Sequence, residues 1–487
     1  MSKSVIIIGA GIAGLAAGCY AQMNGFKTKI FEMHNKPGGL CTAWKRKDYT
    51  FDLSLHWITG SLPKSNVYPM WEELGLVQDR QYITHEYYNL VLDEQGNKFY
   101  SYTNPDKLQE EMLRIAPEDE KQIKNFVKDV KKFGAMDFPY NVGLLKFIKM
   151  FPSLRLWRKY SMSVKEMAAK FRNPTLRNLF ELAFQWHDQT TAYSMMGMAQ
   201  MGAGVSGYPL GGSYSIAKAL EKRYVDLGGN IAYNSQVKSI IVEDNQAVGI
   251  ELMVGTHKFG DIILSAADGH TTLFDWLNGQ YTNSKITEIY QNLEIFPPLI
   301  FISLGVNHDY SQEPHYLFFP LKKPLMIAGK EIDRLEVRNH SFDHTLAPKG
   351  KTAFTVAVET NYDYWAELKE KPDEYSNEKK KIEEAIVNGL SELYPKIRDE
   401  IEVMDIATPL TFIRFTGNWK GSYQGWLFTK KSHAAQIPQT LHGLFNFYMA
   451  GQWVSPGGGL IGAATSAKHA VQMICKNEKQ HFKTTKP

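Results

Sequence analysis

Within its first 32 residues the chain lays down a strand, a glycine turn, a helix and a second strand. Val5-Ile6-Ile7-Ile8 is a β-branched run suited to a buried parallel strand. Gly9-Ala10-Gly11-Ile12-Ala13-Gly14 follows with the spacing GxGxxG, Leu15 to Asn24 reads as a helix closed by Gly25, and Lys27–Glu32 reads as the next strand. Gly9 permits the tight turn, Gly11 lets a pyrophosphate approach the backbone, and Gly14 lets helix and strand pack closely. The helix N-terminus offers free N–H groups and the positive end of a dipole. Glu32, at the end of the second strand, can accept two hydroxyl hydrogen bonds from a ribose and repels a 2′-phosphate. Together these features demand a parallel α/β unit that holds a dinucleotide through Gly9, Gly11, Ile12, Ala13, Gly14 and Glu32.

The same spacing recurs twice, with less meaning. Gly202 to Gly207 follows a Met-rich stretch that is not a strand, and no acidic residue sits at a comparable position. It reads as a loop leading to Pro209-Leu210-Gly211-Gly212. Gly457 to Gly462 follows a strand-like run, Phe445–Ala450, and opens a helix over Ala463–Ile474. A second helix N-terminus there suits negative charge on a reduced flavin ring.

Between these motifs the texture changes. Residues 61–200 are mostly helical in pattern, rich in aromatics, Met and Lys. Residues 212–268 return to α/β, with a helix near Tyr214–Asp226 and strand-like runs at Gln236–Val242, Ala247–Val254 and Gly260–Ser265. Leu299–Val306 and Phe354–Glu359 suggest a second sheet, and Tyr375–Tyr394 is an amphipathic helix. The last twelve residues, polar and basic, read as a frayed tail. Dinucleotide-type texture in three separated pieces implies two interleaved domains, not beads on a string.

Composition serves mainly to exclude. With 44% hydrophobic and 22% charged residues, the 487-residue chain is neither disordered nor a multi-span membrane protein. Its net charge of +4 gives no sign of nucleic-acid binding. Three scattered cysteines, Cys19, Cys41 and Cys475, fit neither a disulfide framework nor a zinc site, and no other metal-ligand spacing is present. The uncharged stretch Val5–Ala21 imitates an export signal, but glycines at 9, 11, 14 and 18 interrupt it. A cytoplasmic protein is the expectation.

Taken with Pro37-Gly38-Gly39, Tyr49-Thr50-Phe51-Asp52, Pro209 to Gly212, Val237 to Ile240, Ser265 to Asp268, Thr408 to Thr411 and Met449-Ala450-Gly451 through Gly459, the ordered set spans the whole chain. In this it resembles the phytoene desaturase, carotenoid isomerase and retinol saturase group of FAD proteins, within the amine-oxidase-like flavoproteins. The resemblance implies a Rossmann-like α/β FAD-binding domain interleaved with an α+β substrate domain. The first would take residues 1–60, 205–275 and 440–487, and the second 61–204 and 276–439. It implies that Glu32 holds the adenosine ribose and Val237 meets the adenine by its backbone. Gly38, Gly39 and Leu40 would pass the pyrophosphate and flavin, while Gly451, Gln452, Gly459, Leu460, Ile461 and Gly462 would hold the ribityl chain and ring. Two positions depart from the family. Lys36-Pro37 replaces an Arg clamp with a point charge at best, and Gln452 stands where an acidic residue is usual. With one convincing fingerprint a separate NAD(P) domain is not expected, which leaves oxygen, a quinone or a carrier as acceptor, or an internal redox change.

The activity implied is exchange of hydride with an apolar polyene or isoprenoid lipid: desaturation, saturation or isomerisation. Two alternatives stay open. One is an amine- or amino-acid-type oxidase, with Arg334, Arg338 or Arg414 as anchor; the other is a non-catalytic lipid carrier of the GDP-dissociation-inhibitor type. His56 follows the double-glycine loop and is the candidate for moving a proton. Cys41, in the same loop, reads as packing. Thr416 to Trp419 and Gly425-Trp426 are tunnel wall or core. Phe138–Lys165 mixes six Lys and Arg with large apolar residues and holds no Asp or Glu, which suits contact with an anionic membrane surface. The number of copies in the assembly is not legible.

Overall fold

The computed structural model describes residues 2–53, 56–136, 151–184, 186–435 and 437–487. Strand β1 (Ser4–Ile8), helix α1 (Ile12–Met23) and strand β2 (Lys27–Phe31) form the expected opening unit. β1 is central in a five-stranded sheet ordered 447–449, 262–265, β1, β2, 230–232, and every pairing is parallel. Three of the five strands therefore arrive more than 200 residues after β1. The α/β class expected from the opening residues is the class found.

Small residues let the helices lie close over this sheet. α1 packs its Ala13, Ala16 and Ala17 in one buried cluster with Ala464, Ala467 and Ala470 of the final helix, Gly459–Asn477. A Cβ on Gly18 would come within 2.6 Å of the Tyr224 ring. Small faces of this kind bring backbones together and exclude water over a wide area. They also explain why Val5–Ala21 carries no charge: strand and helix alike are buried.

The second sheet has seven strands, ordered 401–407, 299–306, 352–359, 330–339, 316–327, 87–92, 98–102. All its pairings are antiparallel except that of 316–327 with 87–92. The strand Leu299–Val306 is buried along its whole length, as its unbroken apolar run implies. Two elements depart from the sequence expectation. The segment 61–200, expected to be mostly helical, contributes the hairpin Tyr87–Leu92/Lys98–Tyr102 to this sheet. The hairpin Tyr316–Ile327/Lys330–Asn339 lies between the two strand-like runs and carries no clear pattern of its own.

The C-terminal residues are not frayed. Lys483 and Asn24 exchange two hydrogen bonds, at 2.7 and 2.9 Å. Arg223 donates to the Thr485 carbonyl, Lys486 pairs with Glu72, and the Phe482 ring packs 5.8 Å from that of Tyr20. Partners distant in sequence hold the segment, and composition cannot reveal them. Residues 138–150 of the run 138–165 lie outside the described residues. Its described part includes the helix Phe151–Lys159. Among the described residues no helix is long and apolar enough to cross a membrane.

Candidate functional site

One cavity of about 1490 Å³ links the two sheets. It opens at the carboxyl ends of the parallel strands, where Ile8, Phe31 and Ala266 line it, and reaches Tyr316 and Arg338 on the seven-stranded sheet. Carboxyl ends of parallel strands are where open α/β sheets bind their ligands. Single-ligand pockets run to roughly 300–1,000 Å³, so this one has room for a dinucleotide and a second molecule.

Sixteen of the seventeen residues expected at the site line this cavity: Gly9, Gly11, Ile12, Ala13, Glu32, Gly38, Gly39, Leu40, His56, Val237, Gly451, Gln452, Gly459, Leu460, Ile461 and Gly462. The exception is Gly14. A Cβ there would lie 1.9 Å from the Gly9 carbonyl oxygen, so Gly14 serves helix–turn packing. Gly11 is the opposite case. A Cβ on it meets nothing within 4 Å, so the chain's own packing gives no reason for a glycine. A phosphate lying against the backbone does.

Two helix N-termini face the cavity. α1 starts after Gly11 and the final helix after Gly458, and neither has a side-chain cap or an acidic residue in its first turn. Their free N–H groups and dipoles favour an anion. Glu32 accepts from the backbone N–H of Ala10 (2.6 Å) and of His34 (2.8 Å), which leaves carboxylate lone pairs for ligand hydroxyls. Burial pushes its pKa up, against the pull of those N–H groups. The donor set and the open glycine cradle fit a dinucleotide.

Lys36 is not a phosphate clamp. It does not line the cavity; its ammonium donates to the Ala43 carbonyl (2.7 Å) and lies 5.2 Å from the Tyr214 ring centre. Gln452 donates to Asn418 Oδ1 (3.2 Å), and both line the cavity beside Thr416 and Gly417. Trp426, in contrast, is fully buried core. Cys41 is buried in the wall. The second glycine motif, outside the cavity, is the end of the helix Thr191–Gly202 and the turn after it; a Cβ on Gly202 would strike the Thr103 carbonyl at 1.9 Å.

His56 stands where the cavity meets the second sheet, its ring 4.6 Å from that of Tyr316. Among the described residues no hydrogen bond to either ring nitrogen is present. Burial, and then the nearby Arg338 and His340, hold its pKa well below the usual histidine value. Behind it lies a group that no sequence motif announces. His85 and His315 stack at 3.7 Å, His340 sits nearby, and burial lowers all three, His85 and His340 to about 4. His85 and His315 precede the strands Tyr87–Leu92 and Tyr316–Ile327, His340 follows Lys330–Asn339, and His56 lies in a loop, so only the tertiary fold brings these four residues together. Of the three candidate anchors only Arg338 reaches the cavity; Arg334 pairs with Asp333, and Arg414 is exposed.

The histidine group has a consequence for acid stability. Each ring stays neutral in the fold but takes a proton in the unfolded chain below about pH 6.5. Their contribution is therefore complete above that pH and is lost as pH falls toward 4, by at most about 1.4 kcal/mol per unit for each ring. The urea midpoint should fall from pH 7 to pH 5, and His85→Phe should flatten the slope by about one proton. A wild-type midpoint constant over that range would contradict the buried neutral state.

Comparison with known proteins follows the same lines. A family model described as flavin containing amine oxidoreductase matches residues 12–475. The chain is 25% identical over 501 residues to a chloroplastic prolycopene isomerase of Daucus carota, covering 95% of this chain and 78% of that one. It is 24% identical over 507 residues to a lycopene-forming phytoene desaturase of Pseudescherichia vulneris, covering 98% and 99%. A crystal structure of an oxidoreductase from Methanosarcina mazei superposes with a TM-score of 0.62 at 16% identity, over 96% of this chain and all of that one.

Proposed function

The chain belongs to the family of flavin-containing amine oxidoreductases and is a flavin-dependent oxidoreductase; from that premise we propose that it uses FAD to desaturate, saturate or isomerise an apolar polyene or isoprenoid lipid. The observation that carries this reading is the continuity of the dinucleotide cradle with a largely aromatic and aliphatic chamber. Relatives named for carotenoid desaturation and isomerisation, alike over nearly the whole chain, support it.

In this reading Gly9, Gly11, Ile12 and Ala13 cradle the pyrophosphate, Glu32 holds the ribose, and Gly451 to Gly462 hold the ring end. When bound, the flavin ring supplies acceptance or return of a hydride. The chain's own residues do the rest. Trp157, Phe184, Trp186 and Phe428 wall the chamber and exclude water. His56, neutral at rest, can accept a proton from a carbon beside the reacting bond. An amine or amino-acid substrate instead needs a free charged anchor, and the one cavity arginine on the second sheet, Arg338, is already paired with Glu336.

The deciding experiment is anaerobic addition of polyenes, amines and amino acids to the oxidised and reduced holoprotein, followed by flavin absorbance and product analysis. Bleaching or product formation with polyenes supports the reading. Fast reduction by amines alone would transfer the function to the oxidase class, and a purified protein without flavin bands would point to a lipid carrier.

Peripheral membrane contact belongs to the same proposal. Leu154 is 42% exposed and lines the cavity with Trp157, Arg158 and Lys430, so the chamber mouth carries both apolar surface and cations. Binding to vesicles should rise with anionic lipid and weaken as salt shortens the screening length. Equal partitioning onto neutral and anionic vesicles would remove the electrostatic part.

A further inference from the structure

Behind the polar end of the chamber lies a second, small cavity of about 20 Å³. His56, Tyr88, Tyr316 and Arg338 line both spaces. The other side of the small cavity carries His85, His315 and His340. His85 and His315 stack with their planes 7° apart, and both are partly exposed. The small cavity therefore lies between the chamber wall and two rings that meet solvent. His340 is buried. Its Nε2 lies 3.4 Å from the Thr355 hydroxyl, and its Nδ1 has no partner among the described residues.

Four of the chain's 14 histidines line this one small space. A phenyl ring, as Phe342 shows beside them, fills the same wall without burying a polar atom. A cavity of this size has room for one water, provided that two or more polar groups meet it. The Nδ1 of His340 and the neighbouring imidazole nitrogens are such groups.

The chemistry of the chamber gives this path a task. A hydrocarbon that fills the chamber blocks that side as a way out for a proton taken up by His56. Burial, and then the Arg338 guanidinium, disfavour the charged ring, so it must be discharged before the next turnover. We propose that His56 discharges through the small cavity, where one water passes its proton to the stacked His85–His315 pair and so to solvent. The C–H bond beside the departing hydride breaks, its electron pair becomes the new C=C bond, and its proton joins a ring nitrogen of His56. The water accepts that proton as it gives up one of its own. Every ring returns to neutral, and one proton reaches solvent for each hydride the flavin accepts. This deepens the desaturating form of the polyene reading and rests on it. His85 and His315 are positioning residues: they act through His56 and set where its proton goes.

The test uses holoprotein carrying His85→Ala and His315→Ala together, with a linear conjugated polyene hydrocarbon in phosphatidylcholine vesicles as the probe. Anaerobic mixing with the oxidised protein reads the first turnover as flavin bleaching. The same probe with oxygen or a soluble quinone as acceptor reads continuous turnover. The first turnover should run at the wild-type rate, because His56 starts neutral. Continuous turnover should fall by roughly 10²-fold, the low end of acid–base help. Imidazole added to the solution should restore most of it by occupying the space of the missing rings. Two rates that both match the wild type overturn the relay and leave the polyene reading intact. So does a first turnover slowed as much as the continuous rate, or product formed by the wild type without bleaching. Neither bleaching nor product with any polyene defeats the polyene reading itself. If the double variant does not fold, a crystal structure of the wild-type holoprotein decides: an ordered water within hydrogen-bond distance of His340 Nδ1 supports the path, and a dry cavity overturns it.

Discussion

A Gly11→Val chain should fold and leave its flavin behind. The cradle has nothing within 4 Å of a Cβ at this position, and its φ of −69° suits any residue, so the substitution does not disturb the apoprotein. The valine methyls would stand where the pyrophosphate approaches the turn. Overpacking a filled site costs about 1–3 kcal/mol, and the ligand also loses its contacts with the N–H groups of α1; together these should weaken flavin binding by ~10²-fold or more. The flavin-to-protein absorbance ratio checks the loss, and far-UV circular dichroism checks the fold. Gly14→Ala is the control of opposite kind, because its methyl group would strike the Gly9 carbonyl whether or not a ligand is present. It should lower stability first and flavin content only in consequence. A Gly11→Val protein with full flavin occupancy would refute the assignment of this turn.

The second large effect concerns His56. His56→Ala should keep its flavin, since the His56 ring packs against Trp57 and Tyr316, and should lose turnover by roughly 10²–10⁴, the usual size of acid–base help. Because burial keeps the ring neutral, it is set to receive a proton and not to give one. The turnover of the wild type should accordingly hold steady below pH 6.5, where an exposed histidine would titrate, until acid unfolding begins. His56→Gln, which keeps a polar side chain but cannot take up the proton, should be nearly as slow as alanine. Unchanged turnover in both variants would reduce His56 to a wall residue packed against Tyr316.

What is legible in the sequence follows from where its constraints are local. The turn Gly9 to Gly14 announces itself because backbone approach, helix packing and a nearby acidic strand end all act within 24 residues. The second sheet is only half legible. Leu299–Val306 is buried on both faces and reads as one apolar run. Tyr316–Ile327 does not, because it emerges into solvent after Pro320, carries Lys322 and Lys323, and shifts register between Pro320 and Leu325. Its two-residue turn hides the usual signal as well. Ala328 and Gly329 take φ of 48° and 73°, and an alanine stands where asparagine or glycine would mark a primed turn. The hairpin 87–102 is masked by the helical stretches around it. The polar end of the chamber is invisible for a different reason. Tyr88, Tyr316 and Arg338 meet through sheet register and His56 reaches them from a loop, and single-residue spacing is silent on both.

The five-stranded sheet has a consequence for how the protein is made. Its central strand is synthesised first, yet its neighbours on the far side are Ile262–Ser265 and then Phe447–Met449, and the helix Gly459–Asn477 must still dock on α1. Until that helix leaves the ribosome, β1 and α1 can pair with β2 but cannot close their half of the molecule. The nascent chain therefore carries an apolar strand edge through most of its translation, a state open to aggregation. A ligand that binds only the closed form stabilises it by mass action, and here that form exists only after the last segment has joined. Flavin supply thus acts on the final step of assembly, and bears on how much protein survives synthesis as well as on how fast the finished enzyme turns over.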